Sequence, residues 1–129
     1  FANIGPRVQT LDTGISQLVK DLKALGLYDQ TLIMIAGEFG RTPRINNTDG
    51  RDHYPRNTSV TLISGAIKKG IAVGNSGPDG TKQDNFVTMG AVSHSVYKMM
   101  GISPTGQVMD MAGRPLRYCP SDTGINGIG

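Results

Sequence analysis

Apolar residues first recur along the chain at helical spacing. Leu11, Ile15, Leu18, Leu22 and Leu25 follow one another at steps of four, three, four and three. That spacing puts them on one stripe of a helix. The expected helix runs from Val8 to Leu25, with Lys20 and Asp21 off the stripe and Gly26 as its C-cap. Tyr28-Asp29-Gln30 reads as a turn, and the pattern then changes. Thr31-Leu32-Ile33-Met34-Ile35-Ala36 is a continuous apolar run, which predicts a strand buried on both faces in a parallel sheet. Thr58 to Ser64 predicts a second strand, and Ile71-Ala72-Val73-Gly74 a short third, followed by a turn over residues 75–80. Val92, Val96 and Met99 mark the apolar stripe of a second helix from Thr88 to Met100, capped by Gly101. On that helix His94 is expected to face solvent, and Met99 and Met100 to join the core. Pro104, Gly106, Gly113, Pro115 and Pro120 make residues 102–129 read as an irregular tail. Helix, turn and buried strand form half of a βαβ unit. The expected class is therefore α/β, a mostly parallel sheet flanked by helices.

Composition narrows this picture. A chain of 129 residues suits one domain. With 37% hydrophobic and 18% charged residues it is not a disordered, highly charged chain. Eighteen glycines and seven prolines favour turns and long connections. The net charge of +3 is spread along the chain, without the dense basic patch of a nucleic-acid binder. No apolar run approaches the roughly 20 residues that span a bilayer. Cys119 is the only cysteine, which rules out an internal disulfide and a cysteine-rich zinc site. The first residues, Phe1-Ala2-Asn3-Ile4-Gly5-Pro6, hold neither an initiator Met nor a signal-peptide pattern. The expectation is a processed chain or a piece of a longer one.

The chemistry gathers between the first two predicted strands. Residues 40–57 show no apolar period and carry four arginines. A connection that long in a compact domain is typically functional or disordered. In open α/β sheets, ligands bind beyond the carboxyl ends of the strands, and Glu38 lies two residues past one. Asp52 and His53 add a carboxylate and an imidazole, the groups that ligate metals or exchange protons. Arg41, Arg44, Arg51 and Arg56 alternate with these acids, and arginine grips phosphate and sulfate oxygens through paired N–H groups. Asn47-Thr48-Asp49-Gly50 does not complete a calcium loop, because Ile45 takes its first ligand position.

Several blocks resemble the C-terminal portion of a bacterial family, domain of unknown function 1501, which looks related to the alkaline phosphatase–sulfatase superfamily. They are Leu25-Gly26-Leu27, Glu38-Phe39-Gly40-Arg41-Thr42-Pro43-Arg44-Ile45-Asn46, Gly50-Arg51-Asp52-His53-Tyr54-Pro55, Ser64-Gly65 and Met111-Ala112-Gly113-Arg114-Pro115. The resemblance implies an alkaline phosphatase-like fold, with residues 1–129 as part of one larger domain. It implies hydrolysis of sulfate or phosphate esters with a divalent metal ion, whether Zn, Ca or Mg. Glu38 and His53 would hold the metal, and Asp52 would ligate it or orient His53. Arg41 and Arg51 would hold substrate oxygens or fix the loop. Phe39 stands where the superfamily has a metal-binding His, and a phenyl ring cannot ligate. The nucleophile is expected in the remainder of the parent protein, the substrate is an anionic small-molecule or glycan ester, and the location is exported or periplasmic. Two other readings stand beside this one. The loop could bind a polyanion such as a sulfated glycan without catalysis, or it could be a structural Arg–carboxylate network.

Overall fold

A computed structural model describes residues 4–81 and 84–128. The chain divides into two compact units, Phe1–Ile67 with Ser76–Lys82, and Lys68–Asn75 with Gln83–Gly129. Among the described residues it combines two helices with short antiparallel strand pairs, an α/β mix; neither the expected parallel sheet nor the expected alkaline phosphatase-like fold forms there.

In the first unit, helix α1 spans Ile4–Ala24 and so begins four residues before the expected start. Pro6 sits in its first turn, where a missing N–H costs nothing. The helix stops where the sequence predicts. Gly26 adopts φ 70°. Its N–H donates to the Lys23 carbonyl (3.2 Å), and that of Leu27 to the Leu22 carbonyl (2.9 Å). These two bonds make a Schellman cap, which favours glycine because the left-handed backbone crowds a Cβ. Tyr28–Gln30 forms a single 3-10 turn.

Strand β1, Ile33–Ala36, follows inside the predicted run. Strands β2 (Gly40–Arg41) and β3 (His53–Tyr54) come next, and then β4, Val60–Ile63. β1 and β4 pair antiparallel, with Ile33 opposite Ile63 and Ala36 opposite Val60. This corrects the parallel sheet. Parallel neighbours need a crossover, usually helical, and residues 37–59 hold no helix; the chain turns back on itself instead. The continuous apolar run also misled about burial. Ile33 and Ile35 are half-buried while Met34 and Ala36 are exposed, so β1 buries one face. Beyond β4, Ser64 is buried. The Gly65 N–H bonds the Tyr28 carbonyl at 3.2 Å and ties the strand end to the 3-10 turn.

In the second unit, helix α2 spans Met89–Met99. Thr88 caps it, its Oγ1 accepting from the Ala91 N–H at 3.0 Å, as a threonine at this position does. Gly101, at φ 74°, ends it with the bond pattern that Gly26 makes. Val92, Ser95 and Cys119 are buried here. The Cys119 thiol lies 2.9 Å from the Gly90 carbonyl, and Ser95 Oγ accepts from the Ile125 N–H at 2.8 Å. His94 is half-buried rather than solvent-facing, its Nδ1 3.2 Å from the Ser121 carbonyl, because the tail folds back along α2. Met99 is half-buried and Met100 is exposed.

The strand predicted over residues 71–74 does not form. The pairing nearest to it is an isolated bridge between Asn75 and Asp84. Nor is the tail wholly irregular. Strands β5 (Gln107–Met109) and β6 (Pro115–Arg117) form an antiparallel hairpin. Asp110 closes its turn by accepting from the N–H groups of Ala112 (2.9 Å) and Arg114 (2.8 Å).

Candidate functional site

The polar stretch after β1 folds as a hairpin. β2 and β3 pair antiparallel, with Gly40 opposite Tyr54 and Arg41 opposite His53. Gly40 lets the chain pass close to residue 57. Its N–H donates to the Asn57 carbonyl at 2.6 Å, and a Cβ there would lie 2.7 Å from that same oxygen. No side chain fits such an approach.

This register joins residues that lie twelve to fourteen apart in sequence. The Phe39 ring meets the His53 imidazole at 4.3 Å between centroids, tilted by 53°. The Arg41 guanidinium lies 5.9 Å from the centre of the same phenyl ring, at the outer range of a cation–π contact. Phe39 thus packs against the imidazole and lies near the cation. Glu38 is exposed just before this pair. Among the described residues, Glu38 and Arg41 form no ion pair. The structural Arg–carboxylate network is not built from those two.

Asn46 organises the tip of the hairpin. Its Oδ1 accepts from the Thr48 N–H (3.1 Å), the Thr48 hydroxyl (2.9 Å) and the Gly50 N–H (2.9 Å). Its Nδ2 donates to Asp52 Oδ1 at 2.7 Å. Asp49 takes φ 55° inside this turn, a backbone that Asp tolerates better than most residues. Arg51 Nη1 donates to the carbonyls of Thr42 (2.7 Å) and Pro43 (2.5 Å). The Asp52 N–H donates to Thr42 Oγ1 at 3.1 Å. These bonds tie the Arg51 side chain to the backbone of the loop. Arg44, Ile45, Asn46, Asn47 and Asp52 line an open polar recess of about 510 Å³.

The structure therefore pairs Arg41 with His53 across β2 and β3 and leaves Glu38 in the bend between β1 and β2. It gives Asp52 to Asn46 and Arg51 to backbone carbonyls. Among the described residues, no three His, Cys, Asp or Glu side chains converge closely enough to hold a metal ion. Sequence reasoning missed two participants, Asn46 and the positioning of Phe39. The Asn46-x-Thr48-x-Gly50 spacing carried a usable signal, since Asn side chains bond the backbone two residues on. Phe39 carried none, because its partner is set by strand register.

The sequence matches the family described as "Protein of unknown function (DUF1501)" over residues 1–128. No curated protein and no solved structure matches it significantly.

Proposed function

Because this chain belongs to the DUF1501 family of proteins of unknown function, we propose a function from its hairpin. The stretch from Glu38 to Pro55 forms one wall of a site for sulfate or phosphate esters, in a hydrolase of the alkaline phosphatase–sulfatase kind. The observation that carries this reading is the register of Arg41 against His53, with the Phe39 ring packed on the imidazole and within 5.9 Å of the guanidinium. A permanent cation and a titratable imidazole then stand side by side. Arg41 grips two ester oxygens through its forked N–H groups. His53, held by Phe39, supplies a nitrogen that ligates a cation or passes a proton to the leaving oxygen. Asp52 and Arg51 hold the loop that presents them.

A divalent ion, Zn, Ca or Mg, enters this reading through Glu38 and His53. Carboxylate oxygen and imidazole nitrogen suit such ions, but zinc takes four ligands and calcium six or more. This hairpin offers two, so the other donors and the nucleophile belong to the remainder of the parent protein. The ion, when bound, would polarise the ester oxygen. An exported location follows from the same resemblance.

The test uses the protein at its native length. Bound metal is measured, together with hydrolysis of 4-nitrophenyl sulfate and 4-nitrophenyl phosphate in Zn, Ca and Mg. His53→Ala is expected to lower both metal content and turnover, and Arg41→Ala to raise KM. Equal metal content in wild type and His53→Ala removes His53 from the site. No hydrolysis with any of the three ions sinks the hydrolase reading. A second reading, a non-catalytic polyanion binder, draws on the missing third donor among the described residues. It predicts salt-sensitive binding of a sulfated polysaccharide without turnover.

A further inference from the structure

We propose that Asn126 is a site of spontaneous modification, where the side-chain amide is lost and the chain rejoins through an isoaspartate. An Asn or Asp stands directly before a glycine at Asp49-Gly50, Asp79-Gly80 and Asn126-Gly127. At such a pair the glycine nitrogen can attack the side-chain carbonyl carbon, because glycine has no Cβ to shield it. The structure sets the three pairs apart.

Two of them are held out of reaction. The Gly50 N–H donates to Asn46 Oδ1 at 2.9 Å, so the attacking nitrogen is engaged elsewhere. The Asp79 carboxylate accepts from the Thr81 N–H (3.1 Å) and the Thr81 hydroxyl (2.8 Å). Those bonds, the backbone one first, hold its carboxyl below the ordinary range. An ionised carboxylate is a poor electrophile. Asn126 differs in both respects. Its side chain is a neutral amide, and among the described residues neither that amide nor the Gly127 N–H has a hydrogen-bond partner. Asn126 and Gly127 are the central residues of a turn. Gly127 takes φ 82°, the left-handed backbone that glycine adopts without strain. A Cβ built there would meet nothing within 4 Å, so the nitrogen is not crowded.

In the reaction the Gly127 nitrogen bonds to Asn126 Cγ and gives up its proton. The Cγ–Nδ2 bond breaks, and ammonia leaves with that proton. A five-membered succinimide results, which water opens. Cleavage of the new N–Cγ bond gives aspartate in the ordinary chain. Cleavage of the original peptide bond leaves Gly127 linked through Cγ, as isoaspartate. Nothing is oxidised or reduced, and either product carries one new negative charge.

Both sides of this turn are pinned within the second unit. The Ile125 N–H donates to Ser95 Oγ on α2 at 2.8 Å, and the Lys68 N–H donates to the Ile128 carbonyl at 3.2 Å. An isoaspartate inserts one more main-chain atom between those two anchors. The bonds fit the original length, so the modification loosens the hold of the tail on α2.

The test ages the protein at its native length in warm, mildly alkaline buffer, beside a sample kept in denaturant. Peptide mapping by mass spectrometry finds the mass gain of an amide turned acid, and chromatography separates the isoaspartyl and aspartyl forms. The folded protein is expected to convert at Asn126 and to keep Asp49 and Asp79 unchanged, and Asn126→Gln to remove the conversion. A folded protein unmodified at Asn126 overturns the proposal, whether or not the denatured sample reacts. Isoaspartate forming at Asp49 or Asp79 as fast as at Asn126 overturns the protection argued for those pairs. Amide exchange at Ile125 should be about fivefold faster in the isoaspartyl form, by the usual net yield of one hydrogen bond; equal exchange in aged and fresh protein would refute the loosening.

Discussion

Asn46→Ala tests whether the hairpin tip is built as described. The change removes three bonds accepted by Oδ1 and one donated by Nδ2. The two Thr48 bonds are exposed, and water replaces them at little cost. The part-buried Gly50 bond contributes about 1 kcal/mol net, by the usual yield of a protein hydrogen bond. The bond to the Asp52 carboxylate is charge-assisted but exposed, and screening reduces it to about 1 kcal/mol. The tip should lose about 2 kcal/mol of local stability, which corresponds to about 30-fold faster opening by the tenfold-per-1.4 kcal/mol rule. Amide hydrogen exchange read by NMR at Gly50 reports that opening directly. Asn46→Asp is the control. It keeps the acceptor oxygen, so Gly50 should stay more protected than in Asn46→Ala. It also sets two carboxylates together, so its protection should fall above the carboxylate range of pH. Unchanged exchange at Gly50 in Asn46→Ala would refute the account. Arg51 holds Thr42 and Pro43 independently, so the β2–β3 register should survive.

Three further outcomes follow from individual contacts. Thr88→Ala removes the N-cap of α2 and should cost about 1 kcal/mol, read by chemical denaturation of the second unit. Gly65→Ala drives a Cβ into the Asp29 carboxylate and to 2.9 Å from the Tyr28 ring; overpacking of this kind costs about 1–3 kcal/mol, and a thermal midpoint equal to wild type would contradict the packing. The Asp110 carboxyl is held below its ordinary range, first by the Arg114 backbone N–H and then by its guanidinium, against a smaller effect of burial. A depressed folded pKa stabilises above the unfolded value, about 4, and the gain is lost as pH falls through the folded value. Arg114→Ala keeps the backbone bond, so carbon-detected NMR titration should show the Asp110 pKa rising only part of the way to normal; no rise would assign the whole effect to the backbone.

The helix ends and the family were legible in the chain because both rest on local information. A glycine is favoured at the left-handed positions of residues 26 and 101, wherever the rest of the molecule lies. The apolar period of α1 was equally plain. The polar blocks from Glu38 to Asn46 and from Gly50 to Pro55 marked both the family and the candidate residues. Strand direction was not legible. Thr31–Ala36 reads the same whether its neighbour runs parallel or antiparallel, and only the return of β4 decides it. β2 and β3 have two residues each, too short to show any period. The β5–β6 hairpin was hidden for a related reason, since three-residue strands leave only the turn chemistry of Asp110 to announce them. The candidate site divides along the same line. Sequence alone named Glu38, Arg41, Asp52 and His53 as candidates, because side-chain type is local. Tertiary structure decided that Arg41 and His53 face each other, that Asp52 belongs to Asn46, and that Phe39 backs the imidazole. Those are facts of register and closure, made between residues far apart in the chain, and no local pattern encodes them.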